Sequence, residues 1–272
     1  MSSTHPVHRP GATPFGEHLR NWRRHRRLSQ LDLALDADVS TRHLSFVETG
    51  RAEPSREMVL RLAERLQVAL RERNTLLVAA GYAPMYHERP LDHPALGSAR
   101  AAVELVLKAH EPYPALALDR HYNLVAANRV VPFLLEGLAP EMLQPPINLV
   151  RLSLHPDGIA PRIVNFLQWR NHILERLRQQ IAATADSGLV QLLAQVQDYA
   201  LPPDASRDAL GGEHLGVVMP LQLRTAAGIL SFFSTLTVFG SPNDITVQEL
   251  ALESFFPADE WTAGVLRSRA SE

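Results

Sequence analysis

The chain has 272 residues, 46% hydrophobic and 21% charged, with a formal net charge of −2. These proportions describe a folded globular protein of one or two domains and exclude collagen, a disulfide scaffold and full-length disorder. The charge is unevenly spread: residues 1–80 hold 13 Arg against 9 acidic residues, and residues 81–272 hold 14 basic against 20 acidic, which predicts two modules with different partners.

Residues 1–14 are polar and Pro-rich, lack the apolar stretch of a secretory signal, and are expected to form a disordered tail. From Phe15 to Ala80 the pattern predicts five short helices. Phe15–Arg27 repeats Phe15, Leu19 and Trp22 at helical spacing. Ser29-Gln30-Leu31-Asp32 has the form of a capping box. A third piece opens at Val39-Ser40 and stops at Gly50, and Glu53-Pro54-Ser55 turns the chain into Arg56–Leu66. Leu70–Ala80 ends at Gly81 with Pro84 beyond it. Met85–Leu96 reads as a linker, and Ala99–His110 as one more amphipathic helix.

The texture then changes. Ala115–Leu118 and Asn123–Ala127 flank Asp119-Arg120-His121 at hairpin spacing. Val130–Leu138 reads as helix, residues 139–158 mostly as loop, and Ile159–Thr184 as one long helix followed by another over Leu189–Tyr199. Leu215–Leu223 and Ile229–Phe239 read as strands about a Thr225-Ala226-Ala227-Gly228 turn. Thr225–Asn243 is uncharged over the length of a membrane span, but its β-branched and aromatic residues suit strands better. A soluble, cytoplasmic protein with no membrane partner is therefore expected. Thr246-Val247-Gln248-Glu249 has the capping-box form for a last helix.

There is no cysteine, which removes disulfides, thiolate metal sites and Cys nucleophiles together. No GxSxG, P-loop, HExxH or GxGxxG fingerprint occurs, and the 12 His are scattered. Neither an enzyme nor a metal or cofactor is expected.

A helix that reads DNA presents a short polar face and is held across a tight turn by a supporting helix. Leu28–Ala34 supplies the supporting helix, Asp36–Val39 the turn, and Ser40–Glu48 the reader. The pattern LSQ…LA…VS…LS.VE.G…PS sets residue type at many spacings at once. Over residues 15–80 it resembles the helix-turn-helix of the Xre/Cro-type repressors. In such a unit Leu31, Ala34, Val39, Leu44 and Val47 face inward, while Ser40, Thr41, Arg42 and Ser45 face out. Arg42 is the leading candidate for a base contact, because a guanidinium bonds guanine N7 and O6 together. Thr41 and Ser45 are candidates for bases or phosphates. The resemblance places Gln30 against a phosphate, and Arg51 and Arg56 lie in the next loop and helix start, where phosphate contacts are common. Phe46 stands where such repressors often carry a polar groove-facing residue; a thymine-methyl contact and inward packing are both open to it. Arg23 and Glu48 are expected to pair structurally. The plainer alternative for the whole unit is a helical bundle with an Arg-rich solvated face.

Pro112–Asp119, Asn123–Asn128, Arg151–Gly158, Asn165–Arg170, Ser231–Thr235 and Glu253–Asp259 resemble segments of the MmyB-like ligand-binding domain found behind such a helix-turn-helix. The resemblance implies a PAS-like fold, with a small antiparallel sheet, helices on one side and a cavity between. It also implies a long-chain apolar ligand, a fatty acid foremost. The expected architecture is multidomain: tail 1–14, all-α helix-turn-helix 15–82, linker with one helix 83–111, and an α+β PAS-like domain 112–266.

Candidate wall residues are Leu116, Phe133, Leu152, Ile163, Phe166, Leu167, Phe232, Leu236 and Phe256, each of which is more often plain core. A carboxylate needs a donor at one end of an apolar cavity. Arg162, Asn165, Trp169, His172 and Arg176 form a polar stripe along the long helix and offer one source, with a solvated face as the alternative. His155 offers another, unless His-Pro-Asp-Gly simply orders a turn. The leading expectation is a homodimeric regulator that binds a palindromic double-stranded DNA operator and responds to an apolar ligand. A competing one keeps the DNA binding and makes the back module a dimerisation or protein-docking domain with a packed core. A third is an enzyme with an accessory helix-turn-helix. An enclosed apolar cavity separates the first from the second.

Overall fold

The computed structural model describes residues 14–203, 219–240 and 242–270. All of the expected tail but Pro14, and the first part of the strand expected from Leu215, lie outside them. The described residues fall into two compact units. One runs to Arg89 and takes in the segment that ends at Gln248; the other runs from Pro90 to Gly240 and resumes at Glu249.

The first unit contains the five expected helices: α1 (Phe15–His25), α2 (Gln30–Asp36), α3 (Thr41–Glu48), α4 (Arg56–Arg65) and α5 (Leu70–Ala79). Their starts are fixed by short polar side chains that satisfy otherwise orphaned N–H groups. Ser29 accepts from the Asp32 N–H while Asp32 accepts from the Ser29 N–H, completing the capping box. Ser40 and Ser55 accept from the N–H groups of His43 and Met58. Leu19, Leu33, Leu44, Val47, Leu62 and Leu77 form the centre of the core. Gly16 lets α1 close on the end of α3: a Cβ there would stand 2.5 Å from the Glu48 carbonyl oxygen and 2.7 Å from that of Val47.

The inward placement of Leu31 is corrected by the structure, which leaves it 55% exposed. Helix α2 has only seven residues, and Leu33, Ala34 and the Ala37 that follows take its one buried stripe. Leu31 and Leu35, four apart, share the outer side.

The second unit opens with α6 (Gly97–Ala109), β1 (Ala115–Leu118), β2 (Leu124–Ala127) and α7 (Val131–Leu135). The region 139–158, expected as loop, contains α8 (Leu149–Leu154), whose first turn is capped by the Asn148 side chain. The long helix α9 spans Phe166–Thr184 and so starts seven residues later than expected. Residues Ala160–Arg162 form a single 3-10 turn about Pro161, and Ile163 is extended, bridging Leu223. The apolar spacing runs on through this stretch because Ile163 and Phe166 enter the same core by different backbone routes. Then follow α10 (Ser187–Gln197), β3 (Leu221–Thr225) and β4 (Gly228–Val238).

The last helix expected at Thr246 is a single turn, α11 (Ile245–Gln248), whose Thr246 N–H is held by Asp244. The chain then becomes strand β5 (Ala251–Pro257), which pairs on both sides, and ends in α12 (Glu260–Ala270). Local capping chemistry gave way there to two antiparallel ladders. The sheet is antiparallel throughout, in the order β2-β1-β5-β4-β3. One face looks onto the large core with α7–α9. The other carries α6, through Val103 and Leu107 against Ala115, Ala117 and Leu252, so helices lie on both faces rather than one.

Candidate functional site

The helix-turn-helix is α2, the turn 37–40 and α3. The turn reverses through Asp38, which has φ +52°, a conformation Asp tolerates better than most side chains. Arg61 Nη1 donates to the Ala37 carbonyl and ties α4 to it. Behind the reader helix sits a buried charge network. Glu48 is 3% exposed and accepts from Arg23 Nε at 2.7 Å and Nη2 at 3.0 Å, as expected for this pair. Gln30 Nε2 donates to the same carboxylate at 2.7 Å, and Arg20 lies 3.6 Å away. Burial alone would raise the Glu48 pKa, but the Arg23 and Gln30 hydrogen bonds and the two guanidinium charges outweigh it and hold the group below the usual carboxylate range. The network fixes α1, α2 and the C-terminal end of α3 as one frame.

On the outer side, Arg42 is exposed and its guanidinium carbon lies 5.4 Å from the centroid of the Phe46 ring. Phe46 is half-buried; it serves as a platform that steadies Arg42 by cation–π contact. Thr41 and Ser45 are half-buried on the same helix, and Arg51 and Arg56 are exposed at the next loop and at the first turn of α4. Ser40 uses its oxygen as the α3 cap and keeps its O–H as a donor. Gln30 is drawn into the Glu48 network, so a phosphate contact there rests on its remaining N–H.

In the second unit a cavity of about 90 Å³ lies between the sheet and helices α7–α9. The sheet contributes Leu116, Leu118, Leu221, Leu223, Glu253 and Phe255, alternate residues of β1, β3 and β5 that share one face. Helix α7 contributes Val131, Leu134 and Leu135; α8 contributes Leu149, Val150, Leu152 and Ser153; α9 contributes Trp169, Ile173 and Arg176. The wall is mostly apolar: Ser153 spends its hydroxyl on the Val150 carbonyl, and the charged side chains meet at one pole. There Arg176 Nη1 lies 3.3 Å from Glu253 Oε1, which also accepts from Ser234 Oγ at 3.0 Å. The Arg176 guanidinium stands 5.2 Å from the centroid of Tyr122, whose hydroxyl donates to Gln180. Burial raises the Tyr122 pKa, against the opposing Arg176 charge. The indole nitrogen of Trp169 is buried and finds no hydrogen-bond partner among the described residues.

Of the wall residues expected from sequence, Leu116 and Leu152 meet at this cavity, with Trp169 and Arg176 of the polar stripe. The others lie elsewhere. Ile163, Phe166 and Phe232 are core residues, occupied by packing. Leu236 is 49% exposed, because β4 runs past the helical cover. Phe133 carries Arg269 over its ring at 4.9 Å. Arg162 turns outward to the carbonyls of Arg224 and Glu136, and Asn165 pins β3 through Pro220 and Gln222. His155 accepts from the Asp157 N–H and orders the His-Pro-Asp-Gly turn. Tyr122 and Glu253 also line the cavity, and no sequence motif marks either of them. Glu253 was legible as a lone acid at an inward position of an apolar strand, but only once β5 is known to be a strand.

Among the described residues no three His, Asp or Glu side chains gather as a metal site, and no helix is long and apolar enough to cross a membrane. Two family models match the chain: a helix-turn-helix over residues 19–73, and the MmyB-like transcription regulator ligand binding domain over residues 99–268. No curated protein matches it.

Proposed function

Since the chain belongs to the family defined by the MmyB-like transcription regulator ligand binding domain, placed behind a helix-turn-helix, we propose that it is a cytoplasmic, homodimeric regulator whose operator affinity responds to an apolar amphiphile in the sheet–helix cavity. The carrying observation is that cavity, apolar with a single charged pole. A docking module with a fully packed core has no use for it. The 2-1-5-4-3 antiparallel sheet supports the PAS-like reading of the domain, and the resemblance to the family makes a fatty acid the first ligand to consider.

On the DNA side, Arg42 reads a base edge while Thr41, Ser45, Arg51 and Arg56 hold phosphates or neighbouring edges. The test is a binding titration on a duplex enriched from a random pool. Affinity should fall steeply as salt rises, since phosphate neutralisation releases counterions. Arg42→Ala should cost about 1–3 kcal/mol and relax the preference at one base position. An Arg42→Ala protein that keeps both affinity and sequence preference would show that another side chain reads the operator.

A further inference from the structure

The charge at the cavity's pole is balanced before any ligand enters. Arg176 and Glu253 are the charged residues in the wall, and they face each other at 3.3 Å. Glu253 is 6% exposed and sits on the central strand β5, opposite Leu116 of β1 and Leu236 of β4. Both hydrogen bonds it receives go to Oε1, one from Arg176 and one from Ser234. Among the described residues none reaches Oε2. Arg176 spends one nitrogen on this pair and lies over the Tyr122 ring.

A ligand carboxylate brought to this pole would be a second anion beside a buried one, sharing a single guanidinium. Like charges at close range in a poorly solvated site disfavour ionisation, and a charge left without its own partner there is costly. A head that is uncharged and carries both a donor and an acceptor meets no such conflict: its O–H or N–H goes to Glu253 Oε2, and its oxygen accepts from Arg176. We propose that the cavity selects amphiphiles with an uncharged donor–acceptor head, such as an alcohol, a primary amide or an undissociated acid, and that Glu253 is the residue that rejects the ionised carboxylate. This rests on the ligand-responsive reading above and narrows its fatty-acid expectation to the undissociated acid.

The experiment is isothermal titration of the full-length protein with octan-1-ol, octanamide and octanoate at one mildly alkaline pH. The alcohol and the amide should bind at least tenfold more tightly than octanoate. In Glu253→Gln the carboxylate should gain at least tenfold and close that gap, because Arg176 is then free to pair with it. Should Glu253→Gln fail to fold, Glu253→Leu reads the same gain in octanoate affinity, since it also removes the carboxylate and leaves Arg176 to the ligand. Octanoate binding the wild type as tightly as the neutral heads, or a neutral preference that Glu253→Gln leaves unchanged, overturns the assignment and leaves the ligand cavity standing. Failure of all three compounds to bind overturns both.

Discussion

At the scale of single residues, the helix-turn-helix is organised around one buried carboxylate. Glu48 has a fully buried side chain and Arg23 keeps 11% of its own exposed, so the pair is shielded in a way surface ion pairs are not. Removing one partner strands the other. Glu48→Gln should therefore destabilise the helical unit by about 3–5 kcal/mol, read as faster amide hydrogen exchange in α1 and α3. The pH dependence has a definite sign. Because the folded pKa of Glu48 is depressed, its contribution is complete above the unfolded value of about 4.3 and is lost as pH falls through the folded one. The gap between wild type and variant should be constant above that window and narrow below it; parallel stability curves down to acid pH would refute the role. Arg23–Glu48 was legible in the sequence because the helix-turn-helix pattern fixes the spacing of both residues. The partnership of Gln30 was not, since the same pattern points that residue at DNA.

At the scale of elements, what was legible follows from how local the determinants are. The five helices of the first unit carry their own caps and stops, and the β1–β2 and β3–β4 hairpins carry their own turns, so a window of a dozen residues suffices. Strand β5 was invisible because nothing local marks it: its conformation is imposed by β1 on one side and β4 on the other. With it went Glu253, half of the cavity's pole. The start of α9 was misplaced because apolar periodicity does not distinguish a helical turn from an extended residue that feeds the same core. Helix α5 shows a related dependence on distant chain. Its N-cap residue, Ala69, has no side-chain acceptor, and the Leu70 N–H is instead held at 2.7 Å by Gln248 Oε1, 178 residues away. Gln248→Ala should cost the helical unit about 1 kcal/mol, the worth of a typical cap, visible as faster hydrogen exchange in the first turn of α5. Exchange there at the wild-type rate would mean that water replaces the cap without loss.

At the scale of the whole molecule, the chain visits the helical unit twice. Between β4 and β5 it leaves the sheet, contributes the turn α11 to the first unit and returns. Arg89 pairs with the buried Asp244 at 3.0 Å, and His87 O accepts from the Ile245 N–H. Three residues after Glu249 resumes the second unit, the strand delivers Leu252 and then Glu253, the carboxylate at the cavity's pole. The covalent path from a bound head group to the unit that holds the reader helix is therefore short. Whether such a connection regulates anything depends on the ligand having different affinity for the DNA-competent and DNA-incompetent states. That coupling is reciprocal, and values of about 5–150-fold are usual. The direct measurement is the affinity of the full-length protein for its selected operator, with and without a saturating neutral octyl ligand whose binding has been established by calorimetry. The account predicts a change of at least about fivefold, mirrored by an equal change in ligand affinity when operator is present. A ligand that fills the cavity at one per chain and leaves operator affinity unaltered would contradict it.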